Sequence, residues 1–277
     1  MPIVSFWGTV DSAQLATTAT LTAVAAMLPT KYHYKTIMTQ THYSNMSLES
    51  AFIDMDKLGN KGALDISDVG IDALDRLLRS NKLTPENISN YARSILKGGR
   101  LELLFGTFKN DSDSYARILE TFPLILDYAN QFYDIVLVDL NKGFDSPEVN
   151  QILQKSDLIV LSVSQNKQIV KKVFKDLDSL KILQEKPVIP VIGRYDRFSR
   201  YSAKNIARDL VGYKKAIYTI PYNTQFFDAC NEGRALEFTL ENAKADYAQD
   251  RNGYFLSEVS KLVDAIVDSI KPKLTDR

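Results

Sequence analysis

What the chain lacks narrows its function first. A single cysteine, Cys230, among 277 residues rules out a disulfide framework, a thiolate zinc site and an iron–sulfur cluster held by one chain, and it suits a reducing cytoplasm. Excess charge of either sign is missing too. The 34 basic residues are balanced by 34 acidic ones, which removes the general electrostatic argument for a nucleic-acid binder or a cationic membrane protein. No apolar run approaches the roughly 20 residues that a membrane-spanning helix needs. The start, Met1-Pro2-Ile3-Val4-Ser5, has neither the basic nor the apolar segment of a secretory signal. The expectation is a cytoplasmic protein without a transmembrane segment.

What is present begins with the first thirty residues. Pro2 to Phe6 reads as a short buried strand, a turn follows at Trp7 to Asp11, and Ser12 opens an Ala/Thr/Leu-rich helical run to Leu28. A strand, a turn and a helix in this order form a natural anion site, because backbone N–H groups and the positive end of the helix dipole converge at the helix start. The chemistry of a phosphate loop is nevertheless incomplete. Between Gly8 and Thr18 there is no second glycine to let the backbone close round a phosphate and no lysine to reach its terminal oxygens.

Further along, Tyr34 to Met38 reads as a strand, Thr39 to Asn45 as a polar loop, Met46 to Ile53 as a short helix and 54–70 as a loop. A helical period runs over 71–78, and Thr84-Pro85 predicts a helix start that carries on to Leu96, before Gly98-Gly99. Leu101 to Phe105 is a short apolar run; Asp111-Ser112 caps a helix with apolar residues every three or four positions. Tyr133 to Asp139 and Leu158 to Val163 are continuous aliphatic runs, the pattern of strands covered on both faces and hence of a parallel sheet. Helix and strand then alternate: 166–184 helix, 188–192 strand, 202–210 helix, 216–220 strand, 223–232 helix, and a final helix from Tyr254 to Ile270. The fold class expected is α/β, one doubly wound, mainly parallel sheet with helices on both faces, over a single domain 1–277.

A hydrophobic strand ending in a carboxylate, Ile135-Val136-Leu137-Val138-Asp139, followed by Gly143, has the form of a Walker B element, whose aspartate orients Mg²⁺ or its waters. Taken with Pro2 to Leu28, Ser156 to Val163, Val191 to Asp196, and Ile220-Pro221-Tyr222-Asn223 followed by Ala229 and Asn231 to Gly233, the chain resembles the ParA/MinD group of deviant Walker ATPases. Within that group it looks like the divergent localisation factors of Tad pilus assembly. The resemblance implies a P-loop NTPase fold, ATP and Mg²⁺ as cofactors, a homodimer and a protein partner. It also implies site residues. The loop contributes Gly8, Asp11, Ser12, Gln14, Ala16, Thr17 and Thr18, the adenine segment Arg194, Pro221 and Asn223, and Mg²⁺ is held by Thr17 and Asp139.

Departures from the family pattern concentrate where the chemistry belongs. With the family's terminal Thr-Thr set on Thr17-Thr18, its signature lysine falls at Asp11 and its phosphate lysine at Ala16, and all three glycines are replaced. An aspartate facing a polyphosphate repels it, and Leu15 adds a side chain where the family keeps none. After the second strand the family has water-positioning aspartates; this chain has Thr39-Gln40-Thr41-His42. His42 reads as a solvated loop residue, with a substitute base as the alternative. No catalytic residue is assigned, since phosphoryl transfer depends on positioning and charge neutralisation.

Other features read as structural. Lys167, Lys171, Lys172 and Lys175 form a solvated helix face, Cys230 a small core residue, and the C-terminal stripe a face packed on the sheet. The segment Arg194 to Tyr201 alternates basic and aromatic residues and reads as an interaction loop. Three functions follow as alternatives: a positioning or scaffold protein of a pilus, secretion or conjugation machine, recruited to the membrane by its partner; an active partition or localisation ATPase with an atypical loop; and a DNA-binding partition protein.

Overall fold

Eight strands form one sheet in the order β3-β4-β2-β5-β1-β6-β7-β8. The computed structural model describes residues 1–10, 15–43, 45–56, 69–109, 111–141, 143, 146–209, 215–246 and 250–274. The strands are β1 Ile3–Trp7, β2 Thr36–Gln40, β3 Arg93–Leu96, β4 Leu101–Leu103, β5 Ile135–Asp139, β6 Leu158–Val163, β7 Val188–Tyr195 and β8 Tyr218–Pro221. Every pairing is parallel except β3 with β4. The order reverses at β1, between β5 and β6, and the loops after these strands open at the carboxyl edge, where doubly wound sheets bind ligands.

The helices are α1 Thr17–Lys31, α2 Ser47–Phe52, α3 Gly70–Arg79, α4 Ser112–Phe132, α5 Pro147–Lys155, α6 Lys167–Ser179, α7 Lys181–Glu185, α8 Ala203–Asp209, α9 Thr224–Asn231, α10 Ala235–Glu241 and α11 Arg251–Leu274. Alternation along β1 sends Val4 and Phe6 into a core under α1 and α11, and Ile3 and Trp7 into a second core under α4 and α5. Both faces are therefore covered, as the unbroken aliphatic runs require. On α11, Phe255, Val259, Leu262, Val263, Ile266 and Ile270 are all buried, and Phe226 of α9 packs 4.7 Å from Phe255, centroid to centroid.

Several boundaries differ from the sequence expectations. No helix runs from 85 to 96: Ile88–Tyr91 is a single 3₁₀ turn, and Arg93–Leu96 is a strand. Gly98 and Gly99 both take positive φ, 84° and 68°, so they turn a hairpin rather than stop a helix. The helix expected over 166–184 breaks at Leu180, which is extended, and α10 was not anticipated. Thr39 and Gln40, expected in a loop, close β2. The first helix starts at Thr17, later than Ser12, which lies outside the described residues, as do 57–68 of the expected loop.

A buried glutamate locks α2 to the sheet. Glu49 is fully buried; its carboxylate accepts the Gly106 amide at 2.8 Å and the Gln40 side-chain amide at 2.8 and 3.0 Å. Burial pushes its carboxyl above the ordinary range despite these donors, and the charge of Asp139 adds to the rise. The folded state then holds the proton more tightly than the unfolded chain, so this contribution is present at low pH and is lost as pH climbs through the raised value. Thermal melts between about pH 5 and pH 8 should show stability falling with pH, and Glu49→Gln should flatten that fall.

Candidate functional site

The last residues of the loop after β1 pack against its first. Leu15 is fully buried, and its Cδ1 stands 2.4 Å from where a Cβ on Gly8 would be. Leucine thus occupies the space beside Gly8. On the other side, Gly193 of β7 presses on the same turn, since a Cβ there would meet the Leu15 carbonyl oxygen at 2.3 Å and Ala16 Cβ at 2.9 Å. Only glycine permits this approach. Ala16 is left-handed, φ 52° and ψ 42°, a conformation that costs an alanine about 1–2 kcal/mol and is held here by these contacts.

From this turn α1 begins without a side-chain cap. Its threonines are spent on the helix itself: Thr20 Oγ1 donates to the Ala16 carbonyl at 2.9 Å and Thr22 Oγ1 to the Thr18 carbonyl at 2.8 Å. Thr17 differs, for it is 3 % exposed and its hydroxyl has no hydrogen-bond partner among the described residues. Asp11, Ser12 and Gln14 lie outside the described residues.

Asp139 ends β5 beside Phe6 of β1 and Gln40 of β2. Its side chain is fully buried, and among the described residues neither carboxylate oxygen accepts a hydrogen bond. His42 lies beside it, with Nε2 3.0 Å from Oδ2, an ion-pair distance. The His42 side chain is only 12 % exposed, which corrects the reading of it as a solvated residue. No sequence spacing marks this pair, because 97 residues separate its members; the fold joins them by setting β2 next to β5.

A second group of expected residues lies further along the edge, at the ends of β7 and β8. A cleft of about 980 Å³ opens between the loop after β7, the loop after β8 and the start of α11, with Tyr195, Arg197, Pro221, Tyr222, Asn223 and Tyr254 among its walls. That volume suits a small ligand. Arg197 lies 4.7 Å from the Tyr254 ring centroid, a cation–π distance. Burial pushes the Tyr254 hydroxyl up to about 12, so it stays a proton donor. Pro221 and Asn223 line this cleft, and the Asn223 side chain is engaged within the protein: its Oδ1 accepts the Phe226 amide and caps α9, and its Nδ2 donates to Asn252. Arg194 is not among the lining residues; it is exposed, with φ 49°, and sits over Phe227 at 5.6 Å. Tyr195, Arg197, Tyr222, Tyr254 and the 250–252 segment at the start of α11 are among the wall residues that sequence reasoning did not single out as site residues.

The site therefore does not fit a magnesium triphosphate as it stands. Among the described residues, Leu15 packs at Gly8 and His42 lies beside the Asp139 carboxylate, while the Thr17 hydroxyl and the Asp139 oxygens are buried without a hydrogen-bond partner.

No protein-family model and no curated protein matches the chain. Among solved structures, a ParA family ATPase from Chlorobium tepidum TLS superposes with a TM-score of 0.64 at 12 % identity, over 94 % of this chain and 96 % of its own. A putative plasmid partition protein from Borrelia burgdorferi B31, bound to AMPPNP, gives 0.65 at 14 % identity over 97 % and 99 %. The septum site-determining protein MinD of Pyrococcus horikoshii OT3, complexed with Mg-ADP, gives 0.63 at 13 % identity over 96 % and 97 %. The chain has the ParA/MinD fold, a P-loop NTPase sheet with helices on both faces.

Proposed function

We propose that this chain is a ParA/MinD-like positioning or scaffold protein, one domain over 1–277, whose phosphate site has been closed by its own side chains. It works through protein contacts in a pilus, secretion or conjugation machine rather than through ATP turnover. The single observation that carries this reading is Leu15, buried in the hollow at Gly8. A phosphate loop supplies a cradle of N–H groups and a lysine; here the cradle holds hydrocarbon, and the loop contains no lysine. Hydrolysis needs charge neutralisation at the transferred phosphoryl group, and the sequence offers Ala16 where that charge belongs.

The cleft beside β8 supports the rest of the reading. Phe198 at 84 % and Tyr222 at 57 % exposure stand at its mouth, aromatic surface of the kind that interfaces use. A copy of this chain or a membrane-bound partner would meet the protein at this edge. Among the described residues no helix is long and apolar enough to cross a membrane, so attachment to a membrane-associated machine goes through that partner.

Calorimetry with ATP and Mg²⁺, set beside adenosine alone, tests the closed site. ATP and adenosine should bind with equal affinity or not at all, because the phosphates gain nothing, and no phosphate should be released. Tight ATP binding that Thr17→Ala weakens, with turnover, would restore the reading of an active switch. Leu15 itself should behave as a core residue: Leu15→Ala should cost about 2–5 kcal/mol in denaturant unfolding, whereas a loop residue that only faces a ligand would cost a few tenths.

A further inference from the structure

The Asp139 carboxylate poses a question that the closed loop leaves open. A carboxyl group with no exposure and, among the described residues, no hydrogen bond to its oxygens is costly to bury unless something compensates it. Thr17 Oγ1, also buried and unbonded, lies on the neighbouring element at the same carboxyl edge, α1 following β1, which pairs with β5. Two hard oxygen groups of this kind suit a small divalent cation. The side chain at Asp139 is instead His42.

Three contacts hold the His42 segment over β5. The Thr41 amide donates to the Asp139 carbonyl at 2.9 Å, the Asn141 amide donates to Thr41 Oγ1 at 2.9 Å, and the Tyr115 hydroxyl of α4 donates to the Thr41 carbonyl. The His42 amide in turn donates to Gln40 Oε1 at 3.3 Å. Tyr43 packs on Tyr115 at 4.9 Å between centroids, which ties the residue after His42 to α4 as well. The ring is placed by backbone that is itself fastened to the strand carrying the carboxylate.

We propose that His42 is a built-in occupant of the cation position at Asp139, keeping divalent metal off a carboxylate and hydroxyl that are otherwise ready for it. This rests on the reading of a closed nucleotide site and adds how its metal half is closed. The ring stands in the cation's way: protonated, it repels the ion; neutral with the proton on Nε2, it takes the space beside Oδ2 and offers the ion no lone pair there. Removing the ring leaves Asp139 uncompensated and open.

Mn²⁺ alone is the probe, followed by paramagnetic resonance and by thermal melts of the full chain. Wild-type protein should bind no Mn²⁺ through Asp139. His42→Ala should gain one site at least about tenfold tighter, with a melting temperature that Mn²⁺ raises, and Asp139→Asn in the same background should abolish both effects. His42→Asn, smaller and still polar, carries the same test should the alanine variant unfold. Mn²⁺ bound by the wild type and lost with Asp139→Asn would overturn the proposal, as would a folded His42 variant that gains no site. Nucleotide is absent from every arm, so the outcome is separate from whether ATP binds the wild-type chain.

Discussion

The contact on which the site depends is the packing of one turn, Leu15-Ala16, between Gly8 and Gly193. Both glycines are there because a Cβ at either would collide with that turn, at 2.4 Å and 2.3 Å. The turn in turn sets where α1 begins and how close β7 comes to the central strands. In a loop built for phosphate, the same close approaches leave N–H groups facing an open cradle. Here they close on a leucine side chain with no exposure. On the reading we propose, hydrophobic burial takes over the role that a ligand would play.

The same substitution of protein for ligand recurs on the other side of β1. Asp139 retains its place at the end of β5, and Thr17 its place at the start of α1, yet the carboxylate faces an imidazole. Glu49, buried nearby and held by Gly106 and Gln40, fills a further part of the edge with hydrogen bonds internal to the chain. Further along the edge, the cleft at β7 and β8 stays open. On the reading we propose, closure is confined to the half of the edge where phosphate and metal chemistry would occur.

Much of the sheet was legible because its strands are buried on both faces: Ile135 to Asp139 and Leu158 to Val163 have no polar alternation to confuse the reading. The β3–β4 hairpin was not, because Thr84-Pro85 carries a helix-start signal and Gly98-Gly99 serves equally as a helix stop or a turn; the antiparallel pairing of Arg93 with Leu103 decides it. For the site, missing residue types were legible at Ala16 and Leu15. His42 was not, since its meaning comes from a neighbour 97 residues away that only strand order brings to 3.0 Å. Asn223 shows the reverse case, a residue in the expected place whose amide the fold spends on capping α9.

Hydrogen–deuterium exchange over Gly8 to Thr18, with and without saturating ATP and Mg²⁺, tests the closed loop most directly. Amides of an open cradle that gains a triphosphate become protected; amides of a turn already packed round Leu15 do not change. The account predicts identical exchange in both conditions. Protection of that segment by ATP and Mg²⁺ would contradict it.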